Sequence, residues 1–338
     1  MKQAIRSMVD TARLSVAPMM DWTDRHCRYF HRLLSRNALL YTEMVTAPAL
    51  VRGGARQLLA HDPAEHPVAL QLGGSDPAEL AEAARLGGQA GYREINLNVG
   101  CPSDRVKSGC FGAVLMKQPS LVAECLAAMA AATDAEITVK CRIGVDDQVP
   151  AEVLPRFLGA IRDAGVSRAI IHARMAWLDG LSPKQNRDVP PLEYDLVLAM
   201  KRAFPDMHLS INGGITSLAQ ARDLLDAGMD GVMIGRAAYH APADILAGAD
   251  VAIWGDSRPP ADPVQVARAM IPYVDAHVAG GGRAHSVTRH MLGLFAGRAG
   301  ARGWRRHLSQ AAVRPGATGA VIAQALDFIA APHSSAAE

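Results

Sequence analysis

A chain of 338 residues with 49% hydrophobic content is long enough for a large α/β core and exceeds one average domain, so a barrel-sized unit plus a smaller one fits. A net charge of +2 gives no whole-chain signal for a nucleic-acid partner, so any basic surface has to be local. The opening MKQAIRSMVDTA lacks the apolar stretch of a secretory signal, no later segment offers about 18 consecutive apolar residues, and the 5 cysteines form no CxxC pair. The expectation is therefore a cytoplasmic, monomeric protein with reduced thiols and no membrane contact.

Short apolar runs ending in glycine or polar residues recur along the chain: LSVAPMM (14–20), LLYTEM (39–44), VALQLGG (68–74), EINLNVGC (94–101), ITVKCRIG (137–144), AIIHAR (169–174), HLSINGG (208–214) and GVMIGRA (231–237). They read as strands, mostly apolar on both faces as in a parallel sheet covered by helices. Segments of helical periodicity lie between them, at 77–87, 119–132, 151–164 and 217–227. Two stretches repeat one pattern: IRDAGVSRAIIHAR (161–174) and LLDAGMDGVMIGRA (224–237) both run helix, Asp-Ala-Gly stop, strand, with glycine supplying the left-handed residue that ends a helix. Regular alternation predicts a (β/α)8 TIM barrel over residues 1–248, with an open doubly wound sheet as the alternative.

After about residue 245 the pattern changes. The stretch 250–263 (DVAIWGDSRPPADP) reads as a linker, and helix-like segments at 263–279, 284–296, 301–313 and 317–331 predict a small all-α bundle over residues 249–338. Between Asp275 and Asp327 there is no acidic residue, while Arg283, Arg289, Arg298, Arg302, Arg305, Arg306 and Arg314 fall inside that window. A solvated helix face would mix both signs, so the window reads as a polyanion contact.

In a TIM barrel the residues closing each strand line the active site. Here they are Pro18, Met19 and Met20; Glu43; Gln71; Asn96, Asn98 and Cys101; Lys140 and Arg142; His172 and Arg174; Asn212, Gly213 and Gly214; and Gly235 with Arg236. The last two groups predict a phosphate site, because glycines let backbone N–H groups approach an anion at the loops after strands seven and eight; ordinary strand-to-helix turns also use glycine. Lys140 suits either a Schiff-base nucleophile or a donor to an electron-rich cofactor ring. His172 is a mouth residue or a satisfied core histidine. Cys101, between Gly100 and Pro102 at a sharp turn, is exposed enough to act as nucleophile or acid, with Cys110 its rival; Cys27, Cys125 and Cys141 read as small core hydrophobes. His26, Cys27 and His31 lie close in sequence, but no second ligand pair at finger spacing follows.

On APMMDWTD, YTEM, QLGG, NLNVGCPSDRVKSGCFGAVLM, VKCRIG, INGGI and MIGRA, the chain resembles the tRNA-dihydrouridine synthase family across nearly its full length. The resemblance implies FMN across the barrel mouth, with Pro18, Met19, Met20 and Gln71 along the isoalloxazine, Lys140 and His172 at its polar edge, and Asn212, Gly213, Gly214, Gly235 and Arg236 around the phosphate. It implies that reduced flavin, recharged by NADPH, delivers hydride to C6 of a uracil while Cys101 protonates C5. The target base must be drawn out of a folded RNA into the pocket. The segments GLSPKQNRDVPPL (180–192) and HMLGLFAGRAGARGWRRHLS (290–309) resemble the A-type subfamily, which reduces uridines 20 and 20a of the D-loop. That likeness implies tRNA contacts from Lys184, Arg187, Arg302 and Arg305, with Asn98 beside the flipped base.

Read without the resemblance, the residues leave other functions open. A flavin dehydrogenase of a free pyrimidine would need no basic helical domain; a lysine-dependent phosphosugar aldolase or isomerase would use Lys140 and the phosphate loops; an RNA-binding module would carry a degenerate barrel.

Overall fold

The computed structural model describes residues 12–102 and 111–330; Cys110, the rival thiol, lies outside the described residues. All eight runs are strands: β1 (Leu14–Val16), β2 (Leu40–Thr46), β3 (Val68–Gly73), β4 (Glu94–Val99), β5 (Glu136–Arg142), β6 (Arg168–His172), β7 (His208–Asn212) and β8 (Gly231–Ile234). They form one parallel sheet in the order β1-β8-β7-β6-β5-β4-β3-β2. The two ends meet where Val16 N–H donates to the Leu39 carbonyl (2.9 Å) and Leu39 N–H to Leu14 (3.0 Å), so the sheet closes and the open-sheet alternative falls.

The outer helices are α1 (Arg25–Leu34), α2 (Pro77–Gln89), α3 (Pro119–Ala132), α4 (Pro150–Asp163), α5 (Tyr194–Ala203), α6 (Leu218–Asp226) and the short α7 (Arg236–His240). Local chemistry sets several of their ends. Asp24, Asp76 and Ser217 accept from backbone N–H groups at the starts of α1, α2 and α6, each cap worth about 1 kcal/mol. The two Asp-Ala-Gly stops behave alike, with Gly165 at φ +92° and Gly228 at φ +105°.

One expectation about the strands fails. They are buried on both faces but not apolar on both, because the lumen side is polar. In β4, Ile95, Leu97 and Val99 join the sheet-to-helix core while Glu94, Asn96 and Asn98 face the strands across the lumen. Asn98 Nδ2 donates to Gln71 Oε1 (2.9 Å), Gln71 Nε2 to Asn96 Oδ1 (2.8 Å), Asn96 Nδ2 to Thr138 Oγ1 (2.8 Å), and Thr138 Oγ1 to Glu94 Oε1 (2.9 Å). At the foot of this ladder the buried Arg168 guanidinium pairs with Glu94 (2.5 Å) and Glu136 (2.9 Å). Burial opposes that charge, but the two carboxylates hold the guanidinium firmly protonated. A polar lumen is tolerable because its groups satisfy one another.

The chain then forms α8 (Ala249–Trp254), α9 (Pro263–Ala279), α10 (Ala284–Thr288), α11 (Ala301–Ala311) and α12 (Ala320–Ala330). The expected linker is shorter than 250–263, since α8 occupies its first part. The Asp250 carboxylate there accepts from the Ser35 hydroxyl (2.6 Å) and the Arg36 and Asn37 N–H groups, which ties the segment to the end of α1. The helix expected over 284–296 also breaks after Thr288. Beyond the break, a side chain at Gly293 would lie 2.2 Å from the His240 carbonyl oxygen, so only glycine allows the chain this close to α7. The bundle centres on the fully buried Trp304, whose indole N–H donates to the Met291 carbonyl (2.9 Å).

The helical region docks on α1. Tyr29 stacks on Tyr273 (4.1 Å between centroids), His26 Nδ1 meets the Tyr273 hydroxyl (2.9 Å), and Asp24 receives Arg289 (2.7 Å) and His290 (3.0 Å). Burial raises the Asp24 pKa, yet His290, Cys27 N–H and Arg289 outweigh it and keep the carboxylate ionised. No helix among the described residues is long and apolar enough to cross a membrane.

Candidate active site at the barrel mouth

Cys101 sits where β4 leaves the barrel, and Asn98 fixes its backbone. The Asn98 side-chain Oδ1 accepts from both Gly100 N–H and Cys101 N–H (3.0 Å each), while its Nδ2 donates to Gln71 Oε1. The Cys101 carbonyl in turn receives Ala113 N–H (2.9 Å) from the chain that returns to the barrel. The two buried amides Gln71 and Asn98 therefore form the top rung of the polar ladder, and Asn98 anchors the backbone of the Cys101 turn. The resemblance implies Gln71 along the flavin and Asn98 beside the flipped base; in the structure Asn98 also anchors the Cys101 turn, and Gln71 holds Asn98.

Lys140 is next to Asn98 across the β4–β5 register, and His172 sits beside Arg142 across β5–β6. Among the described residues neither the Lys140 ammonium nor the His172 ring makes a hydrogen bond or ion pair. Burial pulls the Lys140 pKa down to about 8, with help from the Arg142 charge. Burial likewise holds His172 well below the usual range, and Arg142, Lys140 and Arg174 push the same way, so its ring is neutral at neutral pH. Cys101 is within electrostatic reach of Lys140, Arg142 and Arg187.

Arg142 closed a strand in the sequence reading but received no role. Its guanidinium reaches the Gly100 carbonyl (3.2 Å), the Met175 carbonyl (3.0 Å) and the Asn186 carbonyl (2.8 Å), so it ties the Cys101 turn to the loop after β6. Asn186, which sequence reading missed, is fully buried and organises that loop, with Oδ1 accepting from Trp177 N–H and Nδ2 donating to the Trp177 and Leu181 carbonyls. Lys184 and Arg187 flank it and are exposed.

At the far side of the mouth, Gly213 (φ +117°) and Gly214 (φ +68°) adopt backbone that other residues rarely take. A Cβ on Gly213 would lie 2.6 Å from the His172 ring, so glycine is required for the ring's position. Asn212 donates to the Met233 carbonyl (2.8 Å), joining the ends of β7 and β8. Pro18 and Met19 are half-buried and Met20 is exposed; the turn they begin is pinned by Thr23, whose hydroxyl accepts from Met19 N–H (2.9 Å). Met19 Sδ lies 3.7 Å from where a Gly235 side chain would start, which brings the β1 and β8 loops together. Arg236 is held by Asp188 (2.7 Å) from the loop after β6, a partner sequence gave no sign of.

Arg302 and Arg305, three residues apart, are exposed on α11, whose opposite face buries Ala301, Trp304 and Leu308. Arg289 leaves the basic window, because it is spent on Asp24.

The arrangement is a closed (β/α)8 barrel with a cationic mouth, a cysteine whose backbone is held by a buried amide, and glycine turns after β7 and β8. The chain matches the family model for dihydrouridine synthase (Dus) over residues 15–330, and it belongs to that family. Curated relatives described as tRNA-dihydrouridine(20/20a) synthase include those of Escherichia coli strain K12 (56% identical over 321 residues, 95% of this chain and 92% of that protein), Salmonella typhi (54% over 325 residues, 96% and 97%) and Vibrio cholerae serotype O1 (53% over 320 residues, 94% and 97%). Among solved structures, morphinone reductase superposes with a TM-score of 0.50 at 13% identity, covering 75% of this chain and 88% of that one, which supports the barrel fold.

Proposed function

We propose that this chain reduces uridine to 5,6-dihydrouridine at positions 20 and 20a of the tRNA D-loop, with FMN as resident cofactor, NADPH as reductant, and Cys101 as the proton donor to C5. Membership of the dihydrouridine synthase family and relatives of that description at more than 50% identity over most of the chain support this reading. The observation that carries it is the Cys101 turn, held by Asn98 beside Lys140 at the open end of the barrel.

The mouth residues fit the cofactor. Lys140 and His172 offer polar groups with no partner among the described residues, Arg174 Nε is a buried donor without one, and the Gly213-Gly214 turn keeps side chains out of the space beside them. A planar heterocycle with a phosphate tail suits that donor-rich cradle. Pro18, Met19 and Met20 would cover one face, Lys140 and His172 the polar edge, and Asn212, Gly213, Gly214, Gly235 and Arg236 the phosphate side. When bound, FMN supplies the hydride for C6.

The chain's own residues then do three things. Asn98 orients the Cys101 turn so that the thiol gives its proton to C5. Lys140, charged at neutral pH, stabilises negative charge that develops beside it. Neutral His172 donates or accepts a hydrogen bond without adding a second positive charge. Lys184, Arg187, Arg302 and Arg305 hold the RNA backbone, and residues 1–248 and 249–338 divide the work as catalytic and tRNA-binding units.

The test is to purify the protein, record a flavin spectrum near about 450 nm, and incubate it with NADPH and unmodified tRNA. Dihydrouridine should form at positions 20 and 20a; reduction of free uracil in preference to tRNA would favour the pyrimidine dehydrogenase instead.

A further inference from the structure

The chain has 4 tryptophans, and they are used differently. Trp304 fills the core of the helical bundle, Trp22 stacks on Tyr239 (4.5 Å between centroids), and Trp254 is half-buried in α8. Trp177 alone is exposed, at 43%, and its ring packs against no other aromatic ring among the described residues.

Its exposure is not that of a loose loop. The fully buried Asn186 grips the Trp177 backbone on both sides, through Trp177 N–H (2.7 Å) and the Trp177 carbonyl (2.8 Å). Asn186 is itself held by Arg142, which also holds the Gly100 carbonyl next to the catalytic thiol. Parallel pairing of Val145 with Ala176 carries this segment outward beyond the ends of β5 and β6. The backbone that carries this ring is therefore held while the ring itself is partly in solvent, on the same loop between β6 and α5 as the exposed cations Lys184 and Arg187. An aromatic platform beside cations is how proteins hold single-stranded nucleic acid: the cations follow the phosphates and the ring stacks on a base.

We propose that Trp177 is a stacking platform for a nucleobase of the tRNA other than the uridine being reduced, and so a residue that sets which stretch of the loop enters the mouth. The inference rests on the tRNA reading above. The reacting uracil has to reach Cys101 inside the mouth, whereas Trp177 stands outside it on the rim; a base adjoining the target, unstacked when the target is drawn out, is the occupant. The Arg142–Asn186 connection fixes the distance between the ring and the Cys101 turn.

The experiment compares Trp177→Ala and Trp177→Phe with the intact holoenzyme on unmodified tRNA. Stacking on an aromatic is lost with the ring, so Trp177→Ala should lower kcat/KM for tRNA by roughly 5-fold to 100-fold, while Trp177→Phe restores most of it. FMN content and the rate of NADPH oxidation without tRNA should not change. The salt dependence of tRNA binding should keep its log–log slope in Trp177→Ala, because no counterions are released by a stacked base, whereas Lys184→Ala should flatten it by about 0.7–0.9. The emission quenched when tRNA is added should be smaller in Trp177→Phe than in the parent. Unchanged kcat/KM in Trp177→Ala, failure of Trp177→Phe to restore it, or loss of FMN would each overturn the proposal. Failure of the parent enzyme to reduce tRNA at all would instead overturn the functional reading beneath it.

Discussion

At the barrel mouth Asn98, Arg142, Asn186 and His172 are buried, and three of the four are fixed by hydrogen bonds to neighbouring strands or loops, whereas Arg302 and Arg305 on α11 stand in solvent. The proposed function gives the contrast a reason. Chemistry on one carbon atom needs atoms held within fractions of an ångström, and burial with hydrogen bonds supplies that. Neutralising phosphates needs charge at a surface, and long exposed side chains supply it without fixed geometry. Substitutions at the mouth should therefore change the rate of the bound complex, and substitutions on α11 its formation.

The largest effect belongs to the thiol. Cys101→Ala should lower the reduction of bound tRNA by about 10²–10⁴, the usual worth of a positioned acid, while FMN remains bound and reducible by NADPH. Flavin loss in that variant, or near-normal turnover, would remove Cys101 from the mechanism. Asn98→Ala is next: without the acceptor for Gly100 and Cys101 N–H groups the turn loses its anchor, and kcat should fall by roughly 10-fold to 100-fold, in line with the cost of misplacing a reacting group. A rise in KM for tRNA with kcat intact would mean instead that Asn98 touches the base.

These two side chains show how far the sequence could be read. The turn at Cys101 was legible, because glycine and proline flank the thiol at a strand end, and the eight strands and the Asp-Ala-Gly stops carried their periodicities openly. The polar lumen was written in the alternation of Glu94, Asn96 and Asn98, but alternation alone does not say which partner across a barrel will meet each amide. Arg142 and Asp188 were not legible for the same reason, since their partners lie 33 or more residues away; Asn186 bonds within its own loop, to Trp177 and Leu181, but no regular periodicity marks that loop. Arg289 looked like its neighbours in the basic window; only the docking of α1 shows that it belongs to Asp24. The close approach of Gly293 to His240 is a tertiary contact that no local pattern records.

The docking of the two regions is open to acid. Burial holds the His26 pKa at about 4, mainly against the pull of Asp24, and His26 contacts Tyr273 and His277 of the helical region. The unfolded chain takes up this proton first, so the stability due to neutral His26 is full above about 6.5 and falls as pH drops toward 4, by an amount on the order of 1–2 kcal/mol once solvent screening of the partly accessible ring is allowed for. Thermal unfolding from pH 7 to pH 4 should show that loss, and His26→Gln should reduce it; an unchanged profile would mean that His26 titrates with water access.

The smallest of these effects is at Lys140. Its charge is present below about 8 and lost as pH rises through that value, so FMN affinity should weaken a few-fold between pH 7 and pH 9.5. Lys140→Met should bind FMN more weakly at pH 7 and show no such trend. A trend that survives the substitution would place the titrating group elsewhere.

The division between a rigid mouth and an exposed basic helix is tested most directly by single-turnover reduction of tRNA with the Arg302→Ala, Arg305→Ala double variant. The account predicts weaker binding, a log–log salt slope flatter by about 1.4–1.8 if each side chain meets one phosphate, and an unchanged reduction rate once tRNA is saturating. Binding that is intact together with a slower saturated rate would contradict it, and would make α11 part of the site that positions the base.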